Sequence, residues 1–343
     1  MCLKANNPRS FVERDMFSYP PFDEQILDLL RSRDEFIVLG HISPDGDCLS
    51  SQMAAGSLLL KMGKTVHMAN AGPFDRSEIS HLRADFLAHI DEELYNRNPI
   101  VVVVDCSSPE RLGHLAKEIE GLTTIVLDHH SSGEQFGNHR YIVPRSVSTT
   151  LIIMQLYKAL EVEISQEIAE HLFFGFATDS GFFRFINAYR GETLRLAAEL
   201  VDLGVSPNTM ADRMTGGKSL GYVKYLGKLI DRSESLFDGK LMYSSSCLKD
   251  RDTYITTDKP SDSLYAMLLS VKNVEVVLFF KELEGGSTEV GFRSSHQSSV
   301  DVGALAERFG GGGHKKAAGA TVNEEIDIVR KKLIDAVGEL LHG

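Results

Sequence analysis

Three potential metal ligands lie close together in the heptapeptide HISPDGD at residues 41–47, which contains one histidine and two aspartates. The motif directly follows the apolar run FIVLG at 36–40. Pro44 and Gly46 favour a tight turn that would direct both carboxylates towards one point. The alternative is a solvated Asp-Gly turn in which Asp47 serves only as the N-cap of the next helix.

Each of three other acidic positions follows an apolar segment of the chain. Asp105 ends the run IVVVVD, and Asp179 follows the helical pattern HLFFGFA. The triplet Asp128-His129-His130 ends the run TTIVL. A carboxylate that closes a buried strand is costly unless it is paired or binds a metal. The ordinary alternatives are that Asp105 is a helix cap, that Asp179 is a turn residue, and that His129 and His130 are a histidine pair in a surface loop.

Taken together, these motifs place four carboxylates and two imidazoles at one edge of one sheet. Four carboxylates that share a dry cleft repel one another, and two divalent cations would remove that repulsion. Oxygen ligands with some imidazole suit Mn²⁺, with Mg²⁺ or Co²⁺ as substitutes. Two such cations are a known arrangement for cleaving phosphate esters, because they activate a water molecule and neutralise the displaced oxygens. The candidate ligands are His41, Asp45, Asp47, Asp105, His129 and Asp179.

The elements that must position these residues alternate between short apolar runs and amphipathic stretches. Runs that are short, β-branched and nearly all apolar are typical of strands buried on both faces of a parallel sheet. They lie at 36–40, 65–69, 100–105 and 123–128. Helical patterns lie at 48–63, about 110–120, 147–160, 165–177 and 191–204. This alternation predicts an α/β domain, in which ligands bind outside the carboxyl ends of the strands.

A second, smaller domain of the α+β class is predicted after the first. Its strand-like segments lie at 241–246, 274–280 and 289–294. Its helical segments lie at 262–271, 301–309 and about 323–342. The predicted boundaries are an N-terminal extension at 1–21, a parallel-sheet domain at 22–204, a helical linker at 205–236 and the second domain at 237–343.

A glycine-rich segment in the second domain reads GGGGHKKAAG at 310–319. Glycines allow backbone amides to approach an anion closely, and His314 adds a donor. Arg293, in the segment GFRSS, could bind a phosphate or carboxylate through both arms of its guanidinium. The alternative for the glycines is a flexible loop. The spacing does not match a P-loop, which requires GxxxxGK[ST].

The overall charge and composition exclude several classes of protein. The chain has 343 residues, and 36 basic against 48 acidic residues give a formal net charge of −12. This charge argues against binding to long duplex nucleic acid, which requires a basic surface. No apolar run reaches the roughly 18–20 residues of a membrane helix, and the N-terminus lacks the apolar block of a signal peptide. The cysteines are scattered without a CxxC pair, which fits a reducing cytosol and predicts a cytoplasmic protein.

The motifs HISPDGD, VVVVDCS, LDHH and TDSG, followed by GFRS and GGGGHKKAAGA, resemble those of the DHH phosphoesterases that carry a C-terminal DHH-associated domain. The motifs occur in the family's order, and the resemblance covers about residues 22 to 340. Within this family the chain is most similar to the NrnA-type bifunctional oligoribonucleases and pAp phosphatases, also described as nanoRNases. The resemblance implies a Rossmann-like parallel-sheet DHH domain, a smaller α+β domain, and an active site in the cleft between them.

The resemblance also implies a role for each motif residue. One metal ion would be held by His41, Asp45 and Asp105. The other would be held by Asp47, Asp105, His129 and Asp179, so that Asp105 bridges the pair. Asp128 would orient ligands and His130 would contact the scissile phosphate, and with Asp105 they are the implied catalytic residues. The implied substrate-binding residues are Arg293, Ser294, Gly311, Gly312, Gly313 and His314.

The function implied by the resemblance is manganese-dependent hydrolysis of very short oligoribonucleotides and of pAp to AMP. Linear dinucleotides such as pGpG or pApA would be substrates, no membrane partner is expected, and a homodimer is expected from the family. The alternatives are a polyphosphatase or pyrophosphatase with the same metal centre and a non-catalytic nucleotide-binding protein. The chain departs from the family pattern at Leu151, where many members have glutamate, and at Ser180, which replaces a common threonine.

Overall fold

The computed structural model describes residues 17–131, 133–186, 190–254 and 260–342. The chain divides into two compact units, Met1–Gly217 and Lys218–Gly343. Most of the predicted N-terminal extension, residues 1–16, lies outside the described residues. No helix among the described residues is long and apolar enough to cross a membrane.

Within its described residues, the first unit contains five strands and eight α-helices, which alternate up to β4. Its strands are β1 (Glu35–Leu39), β2 (Thr65–Ala69), β3 (Ile100–Val104), β4 (Thr124–Asp128) and β5 (His139–Ile142). Its helices are α1 (Glu24–Ser32), α2 (Gly46–Lys61), α3 (Glu92–Asn96), α4 (Leu115–Glu118), α5 (Thr149–Ala159), α6 (Gln166–Asp179), α7 (Gly191–Asp202) and α8 (Pro207–Thr215). Short 3-10 helices lie at Ser80–Asp85 and Pro109–Leu112.

The described strands of this unit form one parallel sheet in the order β2-β1-β3-β4-β5, which confirms the predicted fold class. Strands β3 and β4 are buried at every position, which explains their uninterrupted apolar sequences. The order of strands reverses at β1, because β2 lies on one side of it and β3 on the other. Such a reversal leaves a crevice outside the carboxyl ends of β1 and β3.

Helices cover both faces of the parallel sheet. On one face, helices α1, α2 and α6 contribute buried side chains such as Ile26, Leu58 and Phe173 to a large apolar cluster. On the other face, Val101 of β3 packs in a second cluster with Leu115 of α4. Because both faces are apolar, charged side chains are accommodated at the ends of the strands.

The structure corrects two details that the sequence pattern suggests for this unit. The stretch at about 110–120 is not one helix, because Gly113, with φ = 64°, separates the 3-10 helix at Pro109–Leu112 from α4. Strand β5 is absent from the prediction. Its sequence HRYI has a single buried residue, Tyr141, and therefore lacks the apolar run that marks the central strands.

The described part of the second unit contains six strands and five α-helices. Its strands are β6 (Glu234–Leu236), β7 (Leu241–Ser246), β8 (Val276–Glu282), β9 (Thr288–Ser294), β10 (Gly312–His314) and β11 (Ala317–Val322). Its helices are α9 (Leu220–Asp231), α10 (Leu248–Thr253), α11 (Ser261–Leu269), α12 (Val302–Glu307) and α13 (Ile326–His342). The predicted α+β character of this unit is therefore confirmed.

The sheet of the second unit has the order β10-β11-β9-β8-β7-β6 and is mixed, with β7 and β8 parallel and the other neighbours antiparallel. One face packs on α12 and α13 through residues such as Phe292 and Leu333. On the other face, α9 and α11 cover β7 and β8 through residues such as Leu229 and Phe279. Farther along this face, residues of β9 and β11 line a groove.

The glycine run is not the flexible loop given above as the alternative. It forms the hairpin β10–β11, in which Lys315 and Lys316 connect the two strands. The ammonium group of Lys316 donates hydrogen bonds to the carbonyl oxygens of Ser295 and Ser298, at 2.8 and 2.6 Å. The hairpin is thereby tied to the segment that follows β9.

Candidate metal centre

The crevice between β1 and β3 collects the first motif and Asp105. Asp45 is the N-cap of α2, and its Oδ1 accepts a hydrogen bond from the amide of Cys48 at 3.1 Å. Asp47 lies inside the first turn of α2 and is fully buried, so the alternative in which Asp47 is the N-cap is wrong. Asp105 follows β3 with φ = 55°, an uncommon left-handed conformation that costs free energy outside glycine. Strained backbone of this kind concentrates at functional sites.

The carboxylate of Asp105 lies between two imidazoles. Its Oδ2 is 3.5 Å from Nε2 of His41, and its Oδ1 is 3.5 Å from Nε2 of His129. The same nitrogen of His129 is 3.1 Å from Oδ2 of Asp179. Nε2 of His41 is 3.8 Å from Oδ1 of Asp45. Asp105 thus faces each histidine with a different oxygen, an arrangement that would allow its carboxylate to bridge two metal ions.

Hydrogen bonds to Nδ1 of His41 and His129 determine which ring nitrogen faces the carboxylates. Nδ1 of His41 lies 2.7 Å from the carbonyl oxygen of Ile42, and Nδ1 of His129 lies 3.4 Å from that of Ser146. A carbonyl can only accept, so each Nδ1 carries a proton and donates it. The Nε2 atoms then face the carboxylates, and loss of the proton on Nε2 would leave that nitrogen able to bind a metal ion.

The first turn of α5 holds two of the carboxylates in place. The amides of Thr149 and Thr150 donate to Oδ2 and Oδ1 of Asp47, at 2.7 and 3.1 Å. The hydroxyl of Thr150 also donates to Oδ1 of Asp47 at 2.8 Å, and that of Thr149 donates to Oδ1 of Asp105 at 2.9 Å. Ser148 caps this helix, whose positive N-terminal end stabilises the buried anion.

The cluster holds an excess of negative charge. Burial, together with repulsion from Asp105 and Asp179, raises the pKa of Asp47, and burial and Asp105 likewise raise the pKa of Asp179. Burial alone would lower the pKa of His129, but the carboxylates around it raise that pKa to about 10. Divalent cations would balance this negative charge and would displace the protons that the carboxylates and imidazoles otherwise retain. The donor set therefore fits divalent metal ions. Ligand atoms of Asp47, His129 and Asp179 lie within 4.8 Å of one another.

A separate hydrogen bond orients His130. Oδ1 of Asp128 accepts from Nδ1 of His130 at 2.7 Å, and it also accepts from the amides of His129 and His130 at 2.8 and 3.2 Å. This hydrogen bond to Asp128 is the main cause of the raised pKa of His130. Nε2 of His130 is left available to a ligand, and about a third of the His130 side chain is exposed.

Two glycines allow the helices to approach the carboxylates. A Cβ on Gly46 would lie 2.5 Å from the side chain of Thr178, so α2 and α6 can pack closely only without it. A Cβ on Gly175 would lie 2.8 Å from Oδ1 of Asp47 and 2.4 Å from Cγ2 of Thr150. The absence of a side chain at Gly175 therefore makes room for the group that fixes Asp47.

The second unit contains a groove of about 480 Å³ over β9 and β11. Gly291 pairs with Gly319, and Gly319 pairs with Gly312, so three adjacent strands present a row without side chains. Gly291 and Gly319 line the groove. A Cβ on Gly291 would lie 1.9 Å from the hydroxyl oxygen of Tyr265, which shows how closely this ring covers the floor. Lys281 and Glu289 also line the groove, and Nζ of Lys281 is 2.6 Å from Oε1 of Glu289.

Arg293 lies at one side of this groove. Its guanidinium carbon is 4.4 Å from the centroid of the Tyr265 ring, and its Nη2 is 3.7 Å from Oδ1 of Asp262. Ala317 pairs with both Arg293 and His314, so these two residues project from the same face of the sheet. The structure therefore brings the predicted arginine and histidine to one surface.

Ser294 and the glycine amides are placed differently from Arg293. Ser294 is buried on the opposite face of β9, and its hydroxyl lies within hydrogen-bond distance of the carbonyl oxygens of Val300 and Lys315, at 3.1 and 3.3 Å. The structure thus does not bring the Ser294 hydroxyl together with the Arg293 guanidinium. Gly311 lines the groove, whereas Gly312 and Gly313 belong to β10 and pair with β11.

Two family models match the chain over ranges that include most residues of these two sites. The model of the DHH family N-terminal domain matches residues 35–176, and the model of the DHHA1 domain matches residues 241–342. The chain carries a DHH domain and a DHHA1 domain. Asp179, the last candidate ligand, lies three residues beyond the matched DHH range and belongs to the same helix, α6.

Similar proteins are known by name and by structure. The bifunctional oligoribonuclease and PAP phosphatase NrnA of Thermus thermophilus is 28% identical over 310 residues, covering 88% of each chain. The protein of the same name from Bacillus subtilis is 26% identical over 295 residues, covering 84% of this chain and 90% of that one. The crystal structure of an exopolyphosphatase-related protein from Bacteroides fragilis has a TM-score of 0.81 at 20% identity, covering 93% of this chain and 97% of that one. The structural likeness supports the fold.

The DHH domain contains contributors to the site that the motifs do not reveal. Thr149 and Thr150 contact the carboxylates of Asp105 and Asp47, yet neither was a candidate residue. The sequence signal that could have found them is the run Ser148-Thr149-Thr150 at the start of a helical pattern, where small polar residues cap and donate. In the second unit, Tyr265 also went unpredicted, because its sequence neighbourhood is an ordinary apolar helix.

Two thiols of the DHH domain adjoin the candidate ligands. Cys48 and Cys106 are both buried, and burial raises their pKa values to about 12 and about 11. Both groups therefore remain thiols at neutral pH and act as small buried side chains.

Proposed function

We propose that this protein hydrolyses very short oligoribonucleotides to mononucleotides and pAp to AMP, using two divalent cations bound in the DHH domain. The observation that carries the proposal is the position of Asp105, whose two carboxylate oxygens face the Nε2 atoms of His41 and His129. Asp47, which is fully buried, and Asp179, which is partly buried, lie beside this core, and their pKa values are raised by burial and by repulsion from neighbouring carboxylates.

The proposed ligands divide into two sets that share Asp105. His41 and Asp45 lie on one side of it, and the second set lies on the other. The members of the second set are Asp47, His129 and Asp179. Mn²⁺ is the proposed ion, with Mg²⁺ or Co²⁺ as substitutes, because carboxylate oxygens predominate over imidazoles.

Two cations in these positions would supply charge neutralisation for a phosphate group and would lower the pKa of an attacking water molecule. The chain's own residues supply the rest of the proposed mechanism. Asp128 holds Nδ1 of His130 and so orients Nε2, which can donate a proton to a phosphate oxygen or to the leaving oxygen. Thr149 keeps the Asp105 carboxylate from rotating.

The DHHA1 domain is proposed to bind a further part of the substrate. Arg293 and His314 lie on one face, and a guanidinium is well suited to a terminal phosphate because it can donate two parallel hydrogen bonds. A groove of about 480 Å³ accommodates a small ligand such as one nucleotide, which supports action on short substrates. The amides of Gly311, Gly312 and Gly313 remain proposed contributors. The hydroxyl of Ser294, which the sequence also suggested, is buried on the opposite face of β9 and is not included.

The relatives support the substrate class. The proteins from Thermus thermophilus and Bacillus subtilis are named for oligoribonuclease and PAP phosphatase activities, and the aligned region spans most of both chains. This chain fills every ligand position of the proposed set with a side chain that can bind a metal.

The proposal is tested by incubating the purified chain with Mn²⁺ and four separate substrates, with an EDTA control. The substrates are a phosphorylated diribonucleotide, a long single-stranded RNA, pAp and pyrophosphate. We expect mononucleotides from the dimer, AMP from pAp, and little cleavage of the long RNA. Phosphate released from pyrophosphate alone would contradict the substrate class, and hydrolysis that survives EDTA would contradict the metal dependence.

A further inference from the structure

A second cluster of metal-ligating side chains lies in the DHH domain and shares no residue with the candidate metal centre. It consists of His89, His114 and Glu118, whose ligand atoms all lie within 4.8 Å of one another. His114 is the N-cap of α4 and Glu118 is its last residue, so the two are four residues apart and adjacent in space. His89 comes from the segment that precedes α3.

The separations between the three side chains suit a tetrahedral metal ion. Nδ1 of His89 is 2.9 Å from Oε1 of Glu118, and Nε2 of His114 is 3.9 Å from the same oxygen. Ligands of a tetrahedral zinc ion, each at about 2.0–2.2 Å from the metal, lie roughly 3.3–3.6 Å from one another. The two observed separations fall on either side of this value, so small side-chain rotations would form the site.

The carboxylate of this cluster is already oriented by the backbone. Oε2 of Glu118 accepts a hydrogen bond from the amide of Ile90 at 2.8 Å, which turns Oε1 towards the imidazoles. Partial burial opposes ionisation, but the hydrogen bonds from Ile90 and His89 outweigh it and lower the pKa of Glu118. A fixed carboxylate loses less entropy when it binds a metal, and metal ligands are commonly oriented by such outer hydrogen bonds.

The imidazoles are accessible to an incoming ion. The side chain of His89 is 72% exposed and that of His114 is 44% exposed. Their ring centroids are 4.6 Å apart. In this arrangement Nε2 of His114 lies 2.8 Å from the carbonyl oxygen of Ala88, so the exposed ring must turn away from that oxygen before Nε2 can bind a metal ion. Solvent access leaves space for a water molecule as the fourth ligand.

We propose that His89, His114 and Glu118 form a zinc-binding site separate from the metal centre of the DHH domain. Two imidazoles and one carboxylate are a ligand set that zinc takes readily in proteins. The candidate metal centre has more carboxylates than imidazoles and favours harder ions such as Mn²⁺. Zinc at the second site would join the segment containing His89 to α4.

The test is a zinc count on the full chain. Metal-free protein is equilibrated with Zn²⁺ in excess over all candidate sites, freed of unbound metal, and measured by plasma mass spectrometry, so that zinc bound in the DHH metal centre is the same in every variant. We expect the parent chain to retain one zinc equivalent per chain more than the His89→Ala variant. The matched control is His81→Ala, which removes another exposed histidine and should retain as much zinc as the parent.

The outcomes separate this proposal from the proposed hydrolase activity, because the count requires no catalysis. Equal zinc content in the parent and His89→Ala would overturn the proposal. Glu118→Gln should lose the same equivalent while keeping an oxygen acceptor for the Ile90 amide. If that variant fails to fold, His89→Ala still decides the question, because the mostly exposed His89 side chain contributes little to packing.

Discussion

In the DHH domain the candidate metal ligands are side chains that arrive from several separate segments, and Asp47 and Asp105 are almost completely buried. In the DHHA1 domain the groove is formed largely by the backbone of adjacent strands, where Gly291 and Gly319 leave the floor bare. The two sites differ in the sign of their charge and in how far that charge is buried. A cluster of buried carboxylates requires hydrogen-bond donors that hold it in place. An exposed groove can bind a phosphate through one cationic side chain, here Arg293.

The largest effect on activity is expected at Asp105, the residue on which the candidate metal centre depends. Asp105→Asn should lower kcat/KM by at least about 10²–10³-fold, because it weakens a shared ligand and the charge stabilisation that depends on it. The metal-free variant should be no less stable than the parent in thermal unfolding, since one repelling charge is gone. Asp202→Asn, on the exposed side of α7, is the matched control. Full manganese-dependent activity in Asp105→Asn would refute the assignment.

The role of the surrounding donors is tested at Thr149. Thr149→Val removes the hydroxyl that donates to Asp105 and should lower activity or metal affinity by about 10–100-fold. Thr149→Ser keeps the hydroxyl and should retain most of the activity. Manganese titrations monitored by hydrolysis rate would separate the two variants, and equal behaviour would mean that the hydroxyl is not needed.

A pair of glycine variants compares the packing of the two sites directly. Gly175→Ala places a Cβ 2.8 Å from Oδ1 of Asp47, so it should destabilise the chain by about 1–3 kcal/mol despite the better helix propensity of alanine. For Gly319→Ala, the nearest atom to the added Cβ is the Val290 carbonyl oxygen at 3.7 Å. That variant should keep the thermal midpoint of the parent. Similar midpoints for both variants would contradict the view that the metal centre is the tightly packed site.

The smallest effect is expected at Arg293, in the exposed groove. Arg293→Lys keeps the charge but loses the second parallel donor, so KM for a diribonucleotide should rise about tenfold with kcat nearly unchanged. Steady-state kinetics of the parent and the variant measure both constants. Lys281→Arg, elsewhere in the groove, provides a comparison of similar chemistry. A fall in kcat without a change in KM would place Arg293 in the chemical step instead.

Much of the DHH domain could be predicted because the apolar pattern of each segment agrees with the burial of that segment in the fold. The apolar runs of β3 and β4 are buried on both faces, and Asp105 and Asp128 follow or end them, as expected of a parallel sheet that binds ligands at its carboxyl edge. Strand β5 escaped prediction because an edge strand does not need a continuous apolar run. The hairpin of the glycine run escaped it because glycine favours no single backbone conformation.

The sequence by itself determined the two-domain α/β and α+β architecture and the kinds of residue available for chemistry, because apolar periodicity and residue type are local properties. Only the tertiary structure decided which partners meet. Thr149 reaches Asp105 across 44 positions of the chain, and its amide reaches Asp47 across 102. The alternation of β9 turned Ser294 away from Arg293, although the two are neighbours in sequence. Contacts of this kind depend on how helices and strands pack, and no local pattern encodes that packing.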